Sequence, residues 1–188
     1  MPFDKQKFFY NFCGRAIDTN LWTLAGSGTM VDGVDEGYQL TTTTTANNTS
    51  SLDATGPGQF DHQNSVSIST HRHAVTTTIW CIIGLGSNLF QDDFSVVEAR
   101  PAVSANYQLV TNNGGVTRTD STIAIDTSTH NYKIQNTSAD ITLDIDGILR
   151  ATSTTTLPQA GMGPQFWLRN LGSTAQDTRI KYFEAYST

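Results

Sequence analysis

Residues 140–150 read Asp-Ile-Thr-Leu-Asp-Ile-Asp-Gly-Ile-Leu-Arg, and this run constrains the fold more than any other. Ile141, Leu143 and Ile145 alternate with Asp140, Thr142, Asp144 and Asp146. A period of two places the apolar side chains on one face of a strand and the acids on the other. Asp146-Gly147 is the preferred chemistry for a two-residue hairpin turn, because both central residues need positive φ. The spacing predicts an antiparallel hairpin that pairs Ile145 with Ile148 on its buried face, with the aspartates on a solvated one.

The rest of the chain repeats this β signature. Threonine forms uninterrupted runs at Thr41 to Thr45, Thr76 to Thr78 and Thr154 to Thr156. It is β-branched and suits strands, whereas Lys and Glu, which favour helices, are scarce. Short apolar or alternating segments recur from Lys5–Cys13 to Arg179–Tyr186, and turn residues such as Asn112 to Gly115 separate them. In Thr76 to Leu85, the strongest central strand, Ile79, Cys81, Ile83 and Leu85 share one face and Trp80 and Ile82 the other. Val66 and Ile68 between serines read as a half-exposed strand, and Asn47 to Gln63 as a long loop or two short irregular strands. Turns every 8–12 residues indicate a sandwich or barrel. The fold class is all-β, an antiparallel two-sheet sandwich, as one domain over 1–188 with residues 1–12 a first strand or arm.

Composition excludes several function classes. A net charge of -6 with 11 scattered Lys and Arg argues against a nucleic-acid backbone as partner. No apolar run approaches about 18 residues, so no helical membrane span is expected. The start Met1-Pro2-Phe3-Asp4 does not have the charged-then-apolar pattern of a secretory leader. Two cysteines, Cys13 and Cys81, cannot build a disulfide framework, and both read as buried free thiols. Asn47, Asn48 and Asn136 open glycosylation triplets but read as ordinary loop residues.

The order of short motifs resembles a known superfamily. Phe9-x-x-Phe12-Cys13-Gly14 is followed by Ile17-Asp18-Thr19-Asn20-Leu21-Trp22. Much later come His130-x-Tyr132-Lys133-Ile134, Leu143-x-Ile145-Asp146-Gly147, Pro164-x-Phe166-x-Leu168 and Ile180-Lys181-Tyr182-Phe183. Over nearly the whole chain this resembles the concanavalin A-like lectin/glucanase (LamG-like) jelly roll. The resemblance implies two large antiparallel sheets, a concave face that binds glycans in many members, and a core position for Trp22.

Enzymes of that superfamily that cleave β-glucans carry Glu-x-Asp-x-x-Glu or Glu-x-Asp-x-Glu on one concave strand, which sets an acid and a nucleophile about 5 Å apart. Glu36, Glu98 and Glu184 have no partner at that spacing. Asp140, Asp144 and Asp146 imitate it but belong to the hairpin. His71 and His73 share a strand face near His62, as zinc ligands would. No cysteine or carboxylate completes a set, and they read as an exposed polar strand end. Asp92-Asp93 after Asn88 would offer oxygen ligands to calcium. Neither a metal nor a cofactor is expected.

The remaining candidates are aromatic. Trp80 is turned away from the face of Ile79 and Cys81, and Trp167 and Arg169 away from that of Phe166 and Leu168. An exposed Trp beside an Arg makes a platform on which the apolar face of a pyranose can stack. Trp80, Trp167 and Arg169 are therefore the candidate glycan platform. With no reactive constellation, the sequence is read as a non-enzymatic virion-surface protein, a capsid-decoration or fibre-type module. Its partners would be copies of itself or other virion proteins, with surface glycans on the outer face. A soluble lectin or carbohydrate-binding module is the alternative, and a glycoside hydrolase with an unfamiliar site a further one.

Overall fold

The computed structural model describes residues 7–13, 16–31, 37–54, 60–73, 77–87 and 92–188. Phe3 of the predicted arm, Glu36 and Asn88 lie outside them. Among the described residues there are fifteen strands and no helix. In chain order the first eight are β1 (Lys7–Asn11), β2 (Trp22–Ala25), β3 (Ser27–Val31), β4 (Gly37–Thr41), β5 (Thr49–Ala54), β6 (Ser65–His73), β7 (Ile79–Gly86) and β8 (Phe94–Ala99). The others are β9 (Asn106–Asn112), β10 (Val116–Ala124), β11 (His130–Asn136), β12 (Ile141–Ile145), β13 (Ile148–Ser153), β14 (Gly163–Asn170) and β15 (Asp177–Ser187).

They form two antiparallel sheets. One runs β13-β12-β11-β6-β15-β4-β3, with β1 also paired to β15. The other runs β10-β9-β8-β7-β14-β5-β2 and is seven-stranded. Non-sequential neighbours throughout mark the jelly-roll crossing between layers. The predicted two-sheet sandwich is thus the observed one.

Alternation fixes what fills the space between the sheets. Ile79, Cys81, Ile83 and Leu85 of β7 meet Phe166 and Leu168 of β14, and Ile180, Phe183 and Ala185 of β15 lie in the same core. Trp22 is buried at its centre, with Phe12 and Phe166 at ring separations of 5.4 and 5.6 Å. Phe8 and Tyr10 of β1 add edge contacts to Trp22 at 5.4 and 5.7 Å, so this first segment is a working strand of the sheet. On β15, Tyr182, Glu184 and Tyr186 face away from this core.

Two local expectations are corrected. Ile145 and Ile148 do pair across the turn, where Asp146 and Gly147 have φ of 53° and 78°. Ile145 is buried but Ile148 is 53% exposed, because β13 is an edge strand and nothing caps it there. The acids are not simply solvated either. Asp146 accepts from the Asn131 amide (2.9 Å) and pairs with His130 (2.6 Å), while Asp140 accepts from the Thr137 hydroxyl (2.6 Å). Within the stretch read as a long loop or two short irregular strands, residues 49–54 form β5, with Ser50 and Leu52 buried.

On β6 the expected faces are reversed. Ser65, Ser67, Ser69, His71 and His73 point inward, and all five are buried. Ser69 lies opposite both Tyr132 and Phe183, and Ser67 opposite Ile134 and Ala185, so the small hydroxyls make room for large rings on the flanking strands. His71 stacks on Tyr132 at 4.2 Å and His73 lies 6.0 Å from Tyr107, so these histidines are core residues and not an exposed strand end.

Candidate functional site

Because Ile79, Cys81, Ile83, Val97, Leu109, Phe166 and Leu168 face the core, the residues between them face outward from the seven-stranded sheet. The registers tile this outer face into rows. The first row holds Trp80, Arg169 and Thr49, and Arg100 extends it one residue past the Ala99–Cys81 pair. The second is Asp120, Gln108, Glu98, Ile82, Trp167 and Ser51. The third is Arg118, Val110, Val96, Gly84, Gln165 and Asp53. Phe94, Asn112, Gly86 and Gly163 belong to the fourth.

The three sequence candidates Trp80, Trp167 and Arg169 therefore stand together in the first two rows. Ile82, Phe94, Val96 and Val110 form a second apolar cluster on this face, against which Trp80 and Trp167 pack. The two indoles meet edge to face, 4.8 Å between centroids. They differ in what else they do. Trp80 donates its Nε1 proton to Glu98 Oε1 (2.8 Å), and the guanidinium of Arg100 lies 3.9 Å over its ring, with that of Arg169 at 5.5 Å. Trp80 is thus an anchor that orients two arginines. Trp167 is half-buried and has no side-chain hydrogen bond among the described residues, so it is the ring left to stack on a ligand.

Three acids stand in the second and third rows, and the carboxylate of one, Asp120, is taken by the Ser104 hydroxyl, the Asn106 side-chain amide and the Thr122 backbone amide. Glu98 is 1% exposed and its charge is met by Arg118, Nε to Oε2 at 2.8 Å. Asp53 accepts from the Ser51 hydroxyl at 3.3 Å, and its other oxygen is buried with no partner among the described residues. Burial pushes the Asp53 carboxyl up to about 6, against a weaker downward pull from Ser51. Glu98 and Asp53 sit on β8 and β5, three strand spacings apart. At about 4.8 Å per spacing that is roughly 14 Å, well beyond a retaining pair near 5.5 Å or an inverting pair within about 9.5 Å. The outward positions of β7, the middle strand, are Trp80, Ile82, Gly84 and Gly86, with no carboxylate among them. The glucanase motif is absent from this face in place as well as in sequence.

A cleft of about 840 Å³ opens beside the fourth row, lined by Ser87, Asp92, Asp93, Asn112, Gly114 and Gly161 among others. Asp93 Oδ1 is occupied by the Gln159 amide at 2.7 Å, and the Asp92 carbonyl by the Asn112 side-chain amide, so these aspartates serve the loop. Among the described residues no three His, Cys, Asp or Glu side chains converge as metal ligands would.

The sequence reading passed over Glu98 as a partner of Trp80, and over Arg100, Arg118 and Asp53. Phe94, Val96, Glu98 and Arg100 alternate with the core residues Val97 and Ala99, so a period-two reading of β8 would have placed Glu98 and Arg100 beside Trp80. Asp53 was hidden because its stretch reads as either a long loop or two short irregular strands, with no face assigned.

Searched by sequence, the chain matches no family model and no curated protein. By structure it has many relatives. The Crh5 transglycosylase, in its apo form, superposes with a TM-score of 0.72 at 16% identity, covering 97% of this chain and 84% of that one. The Bacillus licheniformis β-glucanase gives 0.67 at 16% identity, covering 97% and 98%. A Bacteroides ovatus GH16 protein from a mixed-linkage glucan locus, in complex with its G4G4G3G product, gives 0.67 at 12%, covering 94% and 98%. The chain has the jelly-roll fold of these glycosidases. They overturn the expectation of a non-enzymatic virion-surface protein: over nearly the whole of this chain, the sandwich has the fold of proteins named as a transglycosylase, a β-glucanase and a GH16 protein. The reading rested on surface composition, which β-sandwiches of many functions share, and the virion part of it has no support among the neighbours.

Proposed function

We propose that this protein is a carbohydrate-active enzyme, which binds a polysaccharide segment across the outer face of the seven-stranded sheet and cleaves or transfers a glycosidic bond there. The observation that carries the reading is the half-buried Trp167, standing in an apolar cluster beside Arg169 and Trp80 on the outward face of a glycosidase fold. A sugar ring stacked on the Trp167 indole gains apolar contact, while Gln165, Ser51 and Arg169 around it offer hydrogen bonds to hydroxyls. The reaction class comes from the neighbours, one named a transglycosylase and one a β-glucanase.

Asp53 is assigned as the proton donor. Glycoside cleavage needs an acid that keeps its proton near the working pH, and burial gives Asp53 that property with a value of about 6. Glu98, saturated by Arg118 and Trp80, positions Trp80 and does not act on the bond. With no paired carboxylate on the face, Asp53 gives its proton to the departing glycosidic oxygen as the C–O bond breaks, water or an acceptor hydroxyl forms the new bond to the anomeric carbon, and the proton that this nucleophile loses returns to Asp53 through solvent.

The test is reducing-end release and oligosaccharide transfer on a panel of β-glucans and other polysaccharides, comparing the wild type with Asp53→Asn and Trp167→Ala. Turnover by the wild type, lost in Asp53→Asn with binding retained, is the expected result. Absence of turnover and of binding across the panel would refute the proposal.

A further inference from the structure

The first row of the outer face has a charge pattern that a neutral sugar does not need. Arg100, Trp80 and Arg169 stand side by side on the β8, β7 and β14 tracks, so the two arginines are about 10 Å apart at the backbone. Both guanidinium groups lie over the Trp80 ring, at 3.9 and 5.5 Å. Arg169 is further held by Asn47 Oδ1, which accepts from its Nε (3.1 Å) and Nη2 (2.7 Å). Neither arginine meets a carboxylate among the described residues, since Glu98 is taken by Arg118. In a chain with a net charge of -6, two oriented and unneutralised arginines beside a free indole mark a locally positive strip.

Resting on the glycan-face reading above, we infer that the ligand is an acidic glycan, whose carboxylate or sulfate is received by Arg100 and Arg169 while its ring stacks on Trp167. Arg169 follows Trp167 by two residues on one strand, so the two side chains leave the same face about 7 Å apart, the span from a pyranose ring to a group it carries. Guanidinium presents a planar fork of donors that matches both carboxylate and sulfate. The indole of Trp80, fixed through Glu98, holds that fork in place without neutralising it. The acid on the β5 side of the face, Asp53, retains its proton up to about 6 and so offers least repulsion in mildly acidic solution.

The test is affinity electrophoresis of the full chain in native gels. The gels contain polygalacturonate, its carboxyl-reduced neutral form, a sulfated galactan, or its desulfated form. Retardation by a charged polymer above its neutral counterpart, weakened about tenfold in Arg169→Gln and Arg100→Gln and by added salt, is the expected result. Because the protein is itself acidic, non-specific charge attraction does not imitate it. The carboxylate and sulfate arms separate the two sources of negative charge. Equal retardation by charged and neutral forms, unchanged in Arg169→Gln, overturns the acidic-ligand inference and leaves the glycan face standing. Retardation by none of the polymers, in the wild type and in Trp167→Ala alike, removes both.

Discussion

The interior of this sandwich should be acid-labile, and His73 sets the scale. Its ring is fully buried, 5.2 Å from that of His71 and 6.0 Å from that of Tyr107, and neither ring nitrogen has a hydrogen-bond partner among the described residues. Burial first, then the nearby His130, lowers its pKa to about 4, with Asp126 acting weakly the other way. His71 is lowered as well, by burial and by its two histidine neighbours. In the unfolded chain a histidine titrates near 6.5. Between the two values the unfolded chain binds a proton that the fold does not, so stability is complete above about 6.5 and falls as the pH drops toward 4. At ~1.4 kcal/mol per pH unit, His73 alone removes about 3 kcal/mol over that interval. That is a large share of the ~5–15 kcal/mol by which domains are stable. Carboxylates also weaken the fold in acid, so the informative quantity is the difference between His73→Phe and the wild type in urea denaturation, from pH 7.5 to 4.5. The variant should gain on the wild type steadily below pH 6.5. A difference that stays flat across the range would refute the argument from burial.

Two further substitutions probe the outer face. Gly84→Ala would put its Cβ 2.5 Å from the Ser95 carbonyl oxygen and 2.9 Å from Val96 Cα, at φ +156°, which forces β7 and β8 apart. A loss on the order of 2 kcal/mol or more is expected in a urea midpoint, and an unchanged midpoint would show that the strands give way freely. Asp53→Asn should stabilise the fold while abolishing turnover. A raised carboxyl pKa contributes stability below about 3.8 that is lost as pH rises through about 6, so the gain in melting temperature should be present above pH 6 and vanish near pH 3.5.

Legibility followed the alternation. On β7 and β14 the apolar residues recur at every second place and fill the core, so the faces of Trp80 and Trp167 followed from counting, whereas on β15 the step from Ile180 to Phe183 breaks that period and leaves its faces open. On β6 the same counting misled, because Val66 and Ile68 are the more apolar residues yet Ser67 and Ser69 face inward. The volume that decides this belongs to Tyr132 and Phe183 on the flanking strands, far away in sequence. Ile148 misled for the complementary reason: pairing with a buried Ile145 does not bury a residue at a sheet edge. Asp53 was invisible because residues 49–54, rich in Ser and Thr and flanked by Asn, Gly and Pro, carry turn chemistry on both sides of β5. Function was the least legible, since the face has neither the spacing of the glucanase motif nor any other local signature. The proposed reading rests on Arg100, Trp80, Arg169 and Trp167, which the strand registers bring side by side.

The two anomalies of the sheets, apolar residues outside and histidines inside, also bound the conditions in which the protein can work. In the proposed reaction Asp53 gives up a proton to a leaving group only while it holds one, which favours pH near or below about 6. The His71–His73 pair erodes the fold as the pH falls from 6.5 toward about 4. At pH 5 Asp53 is ~90% protonated while His73 has removed about 2 kcal/mol, and His71 adds to that loss. The two requirements overlap between roughly pH 5 and 6, so initial rates of glycan turnover should peak there. The acidic limb should follow unfolding, and in His73→Phe it should move to lower pH. The alkaline limb should follow Asp53 and stay in place in that variant. An optimum above pH 7 would separate the reaction from Asp53, and an acidic limb unmoved by His73→Phe would separate it from the core.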